Sequence, residues 1–395
     1  MRITCNQEDL SQALSTVNRA VGSRPTMPVL ANVLLATDGG RLKLSATNLD
    51  LGITTWAAAS VEEEGTVTVP ANLLTNLVSK MPLGKDVELR EDSKTRTLTV
   101  KCQQSRAQVR GIDPEEFPPM PMAEDQPTVS INQALCKELI NQVAFGAARD
   151  DTRPVLAGVS LELDEKRITL AASDGFRLVM RDADELEQDV AEPVKVIVPA
   201  RALQELERVL GDDKGEVEMT VTPNRSQVLF RAGDVHLVSR LIEGQFPNVR
   251  NFIPKSWATK VVVPREDFAA AMGRVTLFAA ESANVVRLEV TAGENGEGLA
   301  PGRLMVEAQA QDLGESHDEL DASIEGESTH LAFNAAYLNE FASALEKGTI
   351  DPDTDEQKTI DEVVIEITGP LSPGVVRGGG LPDYLHVIMP MHTVR

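Results

Sequence analysis

A chain of 395 residues with a formal net charge of −23 and three cysteines excludes several classes at once. It is too long for one ordinary core and suits about three domains, and its 42% hydrophobic residues are enough to exclude a disordered acidic chain. Cys5, Cys102 and Cys136 are too scattered for a disulfide framework or a thiolate metal site, and suit a reducing cytoplasm.

Met1 to Cys5 reads as the start of a strand rather than a leader, and no apolar run approaches the length of a membrane span. An amphipathic helix follows, with Leu10, Ala13, Leu14, Val17 and Val21 on one face. The same opening returns twice. Thr128 to Ile131 leads into a helix bearing Cys136, Leu139, Ile140, Val143 and Ala147, on which Cys136 reads as a buried structural thiol. Lys260 to Val263 leads through Pro264 into one bearing Phe268, Met272 and Val275.

Alternating strands come next in each unit, over 33–44, 159–170 and 285–306, followed by a turn such as Asn48-Leu49-Asp50 or Asp174-Gly175-Phe176. Then a β-branched run ending in Pro or Asn opens a second helix: Val67-Thr68-Val69-Pro70, Val196-Ile197-Val198-Pro199 and Leu331-Ala332-Phe333-Asn334. Proline presets φ for the first turn, and Asn334 is an N-cap. A strand pair closes each unit, over 88–109, 217–242 and 363–390, and Phe117-Pro118 is answered by Phe246-Pro247. Copies spaced by roughly 130 residues are domains, not solenoid repeats.

These markers place domains at 1–125, 126–256 and 257–395, each with two helices on about eight antiparallel strands, an α+β class. Two inserts in the third copy, 292–303 and 349–362, read as mobile surface loops. Much of the acidic charge lies in loops and tails, including Glu62-Glu63-Glu64, 182–192, Asp212-Asp213 and 351–361, so the total decides little about partners.

If each helix docks one face on a sheet, its other face is free. Those faces carry Gln12, Ser15 and Arg19; Asn72, Asn76, Ser79 and Lys80; Lys137 and Asn141; Arg201, Gln204, Glu205 and Arg208; Asp267, Ala271 and Arg274; and Glu340, Ser343 and Lys347. Periodicity is satisfied equally by plain solvated helices and by a surface that meets phosphates without reading bases. An enzyme finds no support. The five histidines show no metal spacing, Ser316-His317-Asp318 is mere adjacency at a charged strand end, and Gly378-Gly379-Gly380 lacks a phosphate-loop context and reads as a flexible turn. Catalytic residues, metal and cofactor are each read as none.

Along its whole length the chain resembles the bacterial β sliding clamps, the processivity subunits of replicative DNA polymerase. The resemblance rests on 22–30 (Gly-Ser-Arg-Pro-Thr-Met-Pro-Val-Leu), Ser173-Asp174-Gly175-Phe176-Arg177-Leu178, Phe246-Pro247 with Ile253-Pro254, Phe333-Asn334-Ala335-Ala336-Tyr337, and Ile388-Met389-Pro390-Met391. It implies three repeated DNA-clamp domains, a head-to-tail homodimer of six domains, and helices lining a hole around double-stranded DNA, in the cytoplasm and without a membrane. It implies DNA contacts at Arg24 and in the loop at Arg149, to which the helix faces add Lys80, Lys137, Arg201 and Arg274, and a dimer interface joining Ala107 and Val109 to Leu277 and Phe278, a pair that could equally be plain core.

It further implies that the polymerase catalytic subunit, the clamp loader and repair proteins insert a short peptide, usually with a Gln and hydrophobic residues. Its site would comprise Arg153, Leu156, Ser173, Gly175, Phe176, Arg177, Leu178, Pro247, Asn334, Tyr337, Met389, Pro390 and Met391, with Arg177 and Asn334 offering polar contacts. Residues 388–391 read alternatively as an ordinary last strand. Departures from the family pattern are Asp150, Pro154-Val155, Phe176, Asn251 and the ending His392-Thr393-Val394-Arg395. A ring-shaped protein scaffold that does not bind nucleic acid is the other reading kept open.

Overall fold

The computed structural model describes residues 1–22, 24–121, 128–150, 152–184, 186, 190, 192–211, 215–293, 298–350 and 357–391. Ser23, the connector at 123–127, most of the acidic run after 184, Asp212, Asp213, the centres of both inserts and the 392–395 ending lie outside the described residues.

Among the described residues there are six α-helices, two per repeat: α1 (Gln7–Asn18), α2 (Ala71–Ser79), α3 (Gln133–Val143), α4 (Ala200–Val209), α5 (Arg265–Ala279) and α6 (Ala335–Glu346). Local chemistry explains their starts. The Asn6 side chain accepts from the Glu8 amide at 2.8 Å, and Glu8 and Asp9 sit at the positive end of α1. Asn334 caps α6 in the same way, accepting from the Ala336 amide at 3.0 Å. Pro70 and Pro264 occupy the cap position instead of the first helical residue. Their ψ values of 114° and 131° keep them extended at the strand ends, and each helix begins one residue later. Helix α1 stops at Asn18 and α3 at Val143, so Val21 and Ala147 fall beyond the helices whose stripes they were expected to extend.

The chain divides into two compact units, one of residues 1–133 with 205–241, the other of 134–204 with 242–395. The first contains a five-stranded sheet in the order Ser60–Glu63, Arg2–Asn6, Asp86–Asp92, Thr97–Cys102, Ser105–Arg110. It also contains an eight-stranded sheet in which four strands of the first repeat continue into four of the second, through Leu51–Ala57 paired with Val235–Arg240. In the second unit a twelve-stranded antiparallel sheet runs from Val194–Pro199 to Thr329–Asn334, with Arg177–Ala183 paired to Tyr384–Ile388. The middle repeat is thus shared between the two units, because its sheet edges pair with those of its neighbours. An edge covered by another strand loses its unpaired N–H and C=O groups.

Each closing strand pair proves to be three strands, as in Asp86–Asp92, Thr97–Cys102 and Ser105–Arg110. Residues 300–303 of the first insert are strand, since Ala300–Ala310 pairs with Gly314–Gly326 along its length. Ser316-His317-Asp318 lies within Gly314–Gly326 and not at its end. The matching tetrapeptides Pro28-Val29-Leu30-Ala31 and Pro154-Val155-Leu156-Ala157 both form 3-10 turns. Phe117 packs on Val29 and Leu30, and Phe246 packs in one cluster with Leu156.

Three faces assigned to solvent need correction. Ala271 is fully buried, and Glu205 is buried against Arg19 at 3.4 Å and Arg208 at 2.8 Å. Helix α3 is enclosed on most of its circumference, because it carries a polar network into the core. Glu138 lies 3.6 Å from Arg181 and accepts from Gln142 at 3.0 Å and Thr349 at 2.6 Å, while the Tyr384 hydroxyl donates to the Gln142 carbonyl at 2.8 Å. Cys136 is buried as expected, and that burial raises its thiol to about 12.

Candidate peptide groove and nucleic-acid interface

The candidate peptide site centres on the tight connection between strands Arg167–Ser173 and Arg177–Ala183. Asp174 Oδ1 accepts from the amides of Phe176 at 2.9 Å and Arg177 at 3.0 Å, and Ser173 Oγ donates to the Arg177 carbonyl at 2.6 Å. Gly175 adopts φ +93°, a conformation that favours glycine, while the exposed Arg153 guanidinium that lies 2.5 Å from where a Cβ would sit could swing aside. That guanidinium donates to the Asp174 carbonyl at 2.7 Å.

The turn displays Phe176, 62% exposed, and its carbonyl accepts from the amide of Met389, which is 47% exposed. Behind them Leu156, Leu178, Phe246, Val249 and Val387 form an apolar floor, flanked by half-buried Val155, Ile242 and Ile253. Pro247 is exposed at its border. The equivalent junction in the other unit has the same backbone with opposite chemistry. There the Asp50 carbonyl accepts from the Arg240 amide at 2.9 Å, and the two side chains form an ion pair at 3.7 Å. One junction sets Phe and Met at the paired strand ends, the other Asp and Arg, although exposed Leu49 lies beside the second as well.

Arg177 is buried beside this floor. Its Nε donates to Asp174 at 3.1 Å, its Nη1 to Glu340 at 2.6 Å and its Nη2 to the Phe145 carbonyl at 2.6 Å, while its guanidinium carbon lies 4.3 Å from the Tyr337 ring centre. The Tyr337 phenol is pushed up to about 12, first by burial and then by the charge of Asp174 and a hydrogen bond to it, so it remains a neutral donor. The two residues read as polar contacts, Arg177 and Asn334, both hold partners within the chain itself. Arg177 already serves three partners, and the Asn334 oxygen is committed to capping α6. Pro390 is half-buried beside Met389. Met391 is held through its amide by the Ala332 carbonyl at 2.8 Å, where it lines a separate cleft of about 680 Å³ with residues including Leu331, Pro370 and Leu371.

Phe145 and Asp174 escaped recognition as site residues, and Glu340 was read only as part of a helix face. The available signal was indirect: an Asp three residues before the Arg that starts a strand, and a Glu three residues after Tyr337 on one helix, a spacing that brings side chains together.

The expected DNA contacts divide between the units. Arg24 and Lys80 are exposed in the first. In the second, Arg201 is exposed at the start of α4, Lys137 is half-buried, Arg149 pairs with Glu340 at 2.6 Å with its side chain 84% exposed, and Arg274 pairs with Asp318 at 2.5 Å. The carboxylate of Asp150 accepts from the Thr152 hydroxyl and from its amide at 3.0 Å. Those bonds hold it below its ordinary value and leave it anionic beside Arg149.

Of the expected dimer residues, Leu277 is 70% exposed and Phe278 half-buried on α5. Strand Ser105–Arg110 is a sheet edge. Val109 itself is buried, because the two-residue period of the strand turns it inward with Leu98 and Val100, and Ala107 is half-buried. What that edge offers another chain is main chain together with Arg106, Gln108 and Arg110.

Three family models match in order: the N-terminal, central and C-terminal domains of the DNA polymerase III beta subunit, over residues 1–121, 130–248 and 250–392. Among relatives, the beta sliding clamp of Synechococcus elongatus is 36% identical over 373 residues, covering 94% of this chain and 96% of that protein. The beta sliding clamp of Staphylococcus aureus is 26% identical over 402 residues, with both chains fully covered. The crystal structure of the DNA polymerase sliding clamp from Bacillus subtilis superposes with a TM-score of 0.88 at 25% identity, again covering both chains fully. With all three domain models matched in sequence order, the chain belongs to the DNA polymerase III beta subunit family, the bacterial sliding clamps.

Proposed function

We propose that the protein is a DNA sliding clamp: a homodimeric ring that encircles duplex DNA without sequence preference and tethers the replicative polymerase, and that it acts as a non-catalytic accessory subunit. The observation that carries this reading is the match of the whole chain, repeat by repeat, to sliding-clamp domains. The domains at 1–125, 126–256 and 257–395, and a cytoplasmic setting, are part of the proposal. Closure by a repeated heterologous contact supports the ring, with strand Ser105–Arg110 of one chain meeting the Leu277 and Phe278 face of another. Arg24, Lys80, Lys137, Arg149, Arg201 and Arg274 would touch phosphates, through weak contacts compatible with sliding. Polymerase, clamp loader and repair proteins would dock short peptides on the Phe176 and Met389 rim, whose flexible Met and exposed Phe suit varied apolar side chains.

Retention on a nicked circular plasmid tests the reading. A topologically linked ring stays on the circle and runs off when the plasmid is cut to a linear form. Equal retention on both forms would refute encirclement, and no retention on either would favour a protein scaffold.

A further inference from the structure

Glu340 is shared. Its Oε1 accepts from Arg149 at 2.6 Å and its Oε2 from Arg177 at 2.6 Å. The two cations differ in every other respect. Arg149 has a side chain 84% exposed, outside the apolar groove, among the residues proposed to touch phosphate. Arg177 is 3% exposed, stacked on Tyr337 and bonded to the turn that displays Phe176. One carboxylate with two oxygens therefore divides itself between the DNA-facing loop and the peptide groove.

We infer that Glu340 is a coupling residue that makes phosphate contact at Arg149 and peptide contact at Arg177 mutually antagonistic. This rests on the proposed clamp function. Two arrangements of the carboxylate are involved. In the shared arrangement each arginine holds one oxygen. When a phosphate takes Arg149, both oxygens turn to Arg177, which is bound more firmly and is less available to an acceptor on an incoming peptide. When a peptide carbonyl or side-chain oxygen takes Arg177, Glu340 is free to grip Arg149 with both oxygens and draw it away from phosphate. Linkage requires the two effects to be equal. The carboxylate is 27% exposed, so solvent screens the pair and the coupling is modest, about two- to fivefold in affinity. A clamp with this device would loosen its loop contact with DNA as a partner docks.

The test is a mutant cycle on the full-length protein, read by fluorescence anisotropy of a labelled hexapeptide carrying one Gln followed by Leu and Phe. Arg149→Ala, a change on an exposed side chain, should weaken peptide binding about two- to fivefold with no DNA present. Glu340→Gln should abolish that effect, so that Arg149→Ala makes no difference in its background. A saturating 12-base-pair duplex at low salt should weaken peptide binding to the wild type and leave Glu340→Gln unaffected. Unchanged binding to Arg149→Ala, or coupling that survives Glu340→Gln, would overturn the inference. Failure of the wild type to bind the peptide at all would refute the proposed groove instead. Melting curves establish that each variant is folded.

Discussion

Replacing Arg177 by Ala removes a cation that two carboxylates and a carbonyl share within the second unit. Asp174 and Glu340, 16% and 27% exposed beside it, would lose their buried partner, and the Phe145 carbonyl would lose its bond at 2.6 Å. Breaking a buried ion pair from one side costs roughly 3–5 kcal/mol. The lower end applies here, because Glu340 retains Arg149 and Asp174 retains two backbone amides. With an m-value of about 3 kcal/mol/M, a loss of about 3 kcal/mol lowers the urea midpoint by about 1 M.

The chain supplies its own reporters, since it has two tryptophans, Trp56 in the first unit and Trp257 in the second. In a Trp56→Phe background, Trp257 fluorescence should show the full shift for Arg177→Ala. In a Trp257→Phe background, Trp56 should report a midpoint that moves much less. Arg177→Lys should recover only part of the loss, because an ammonium cannot reproduce the planar fork that reaches Asp174, Glu340 and Phe145 together. An unmoved Trp257 transition in Arg177→Ala would refute the view that this cation ties the turn to α6.

Leu277→Lys with Phe278→Lys should yield folded monomers by light scattering, since truncating or charging a small apolar interface core costs about 2 kcal/mol or more per hot-spot residue; persistent dimers would place the interface elsewhere. Arg24→Ala or Arg201→Ala should each lower the slope of log affinity against log salt by about one unit, equally on all sequences. Arg274→Ala should lower it less, because Asp318 already holds that guanidinium. His386 is fully buried with neither ring nitrogen bonded, and burial first, then the charge of Arg177, holds its native value well below the ordinary 6.5. The unfolded chain then binds the extra proton, so stability is fully present above 6.5 and falls as the pH drops below it, by about 1.4 kcal/mol per pH unit. The Trp257 urea midpoint should therefore fall between pH 7.5 and 5.5, and His386→Leu should flatten that fall.

Much of this protein is local and was open to reading from residue order. Strand-then-helix openings, the Asn334 cap and the Asp174-Gly175 turn each arise from interactions spanning four residues or fewer, and they recur where the repeat requires. The apolar stripes of α1 and α5 likewise announce their buried faces, because helical period alone places Leu10, Leu14 and Val17, or Phe268, Met272 and Val275, on one side.

Only tertiary structure decided what those elements meet. Periodicity assigned Glu205 and Ala271 to solvent, yet burial depends on whatever packs against a face, and here Arg19 and Arg208 hold the first while the sheet covers the second. Val109 turned inward because its strand lies against a core, and the middle repeat became shared between two units because its edges found partners over a hundred residues away. The Arg149–Glu340–Arg177 bridge joins positions 191 and 163 residues apart. No spacing rule reaches that far, since side chains so distant in sequence meet only after long-range strand pairing has set where each helix end lies.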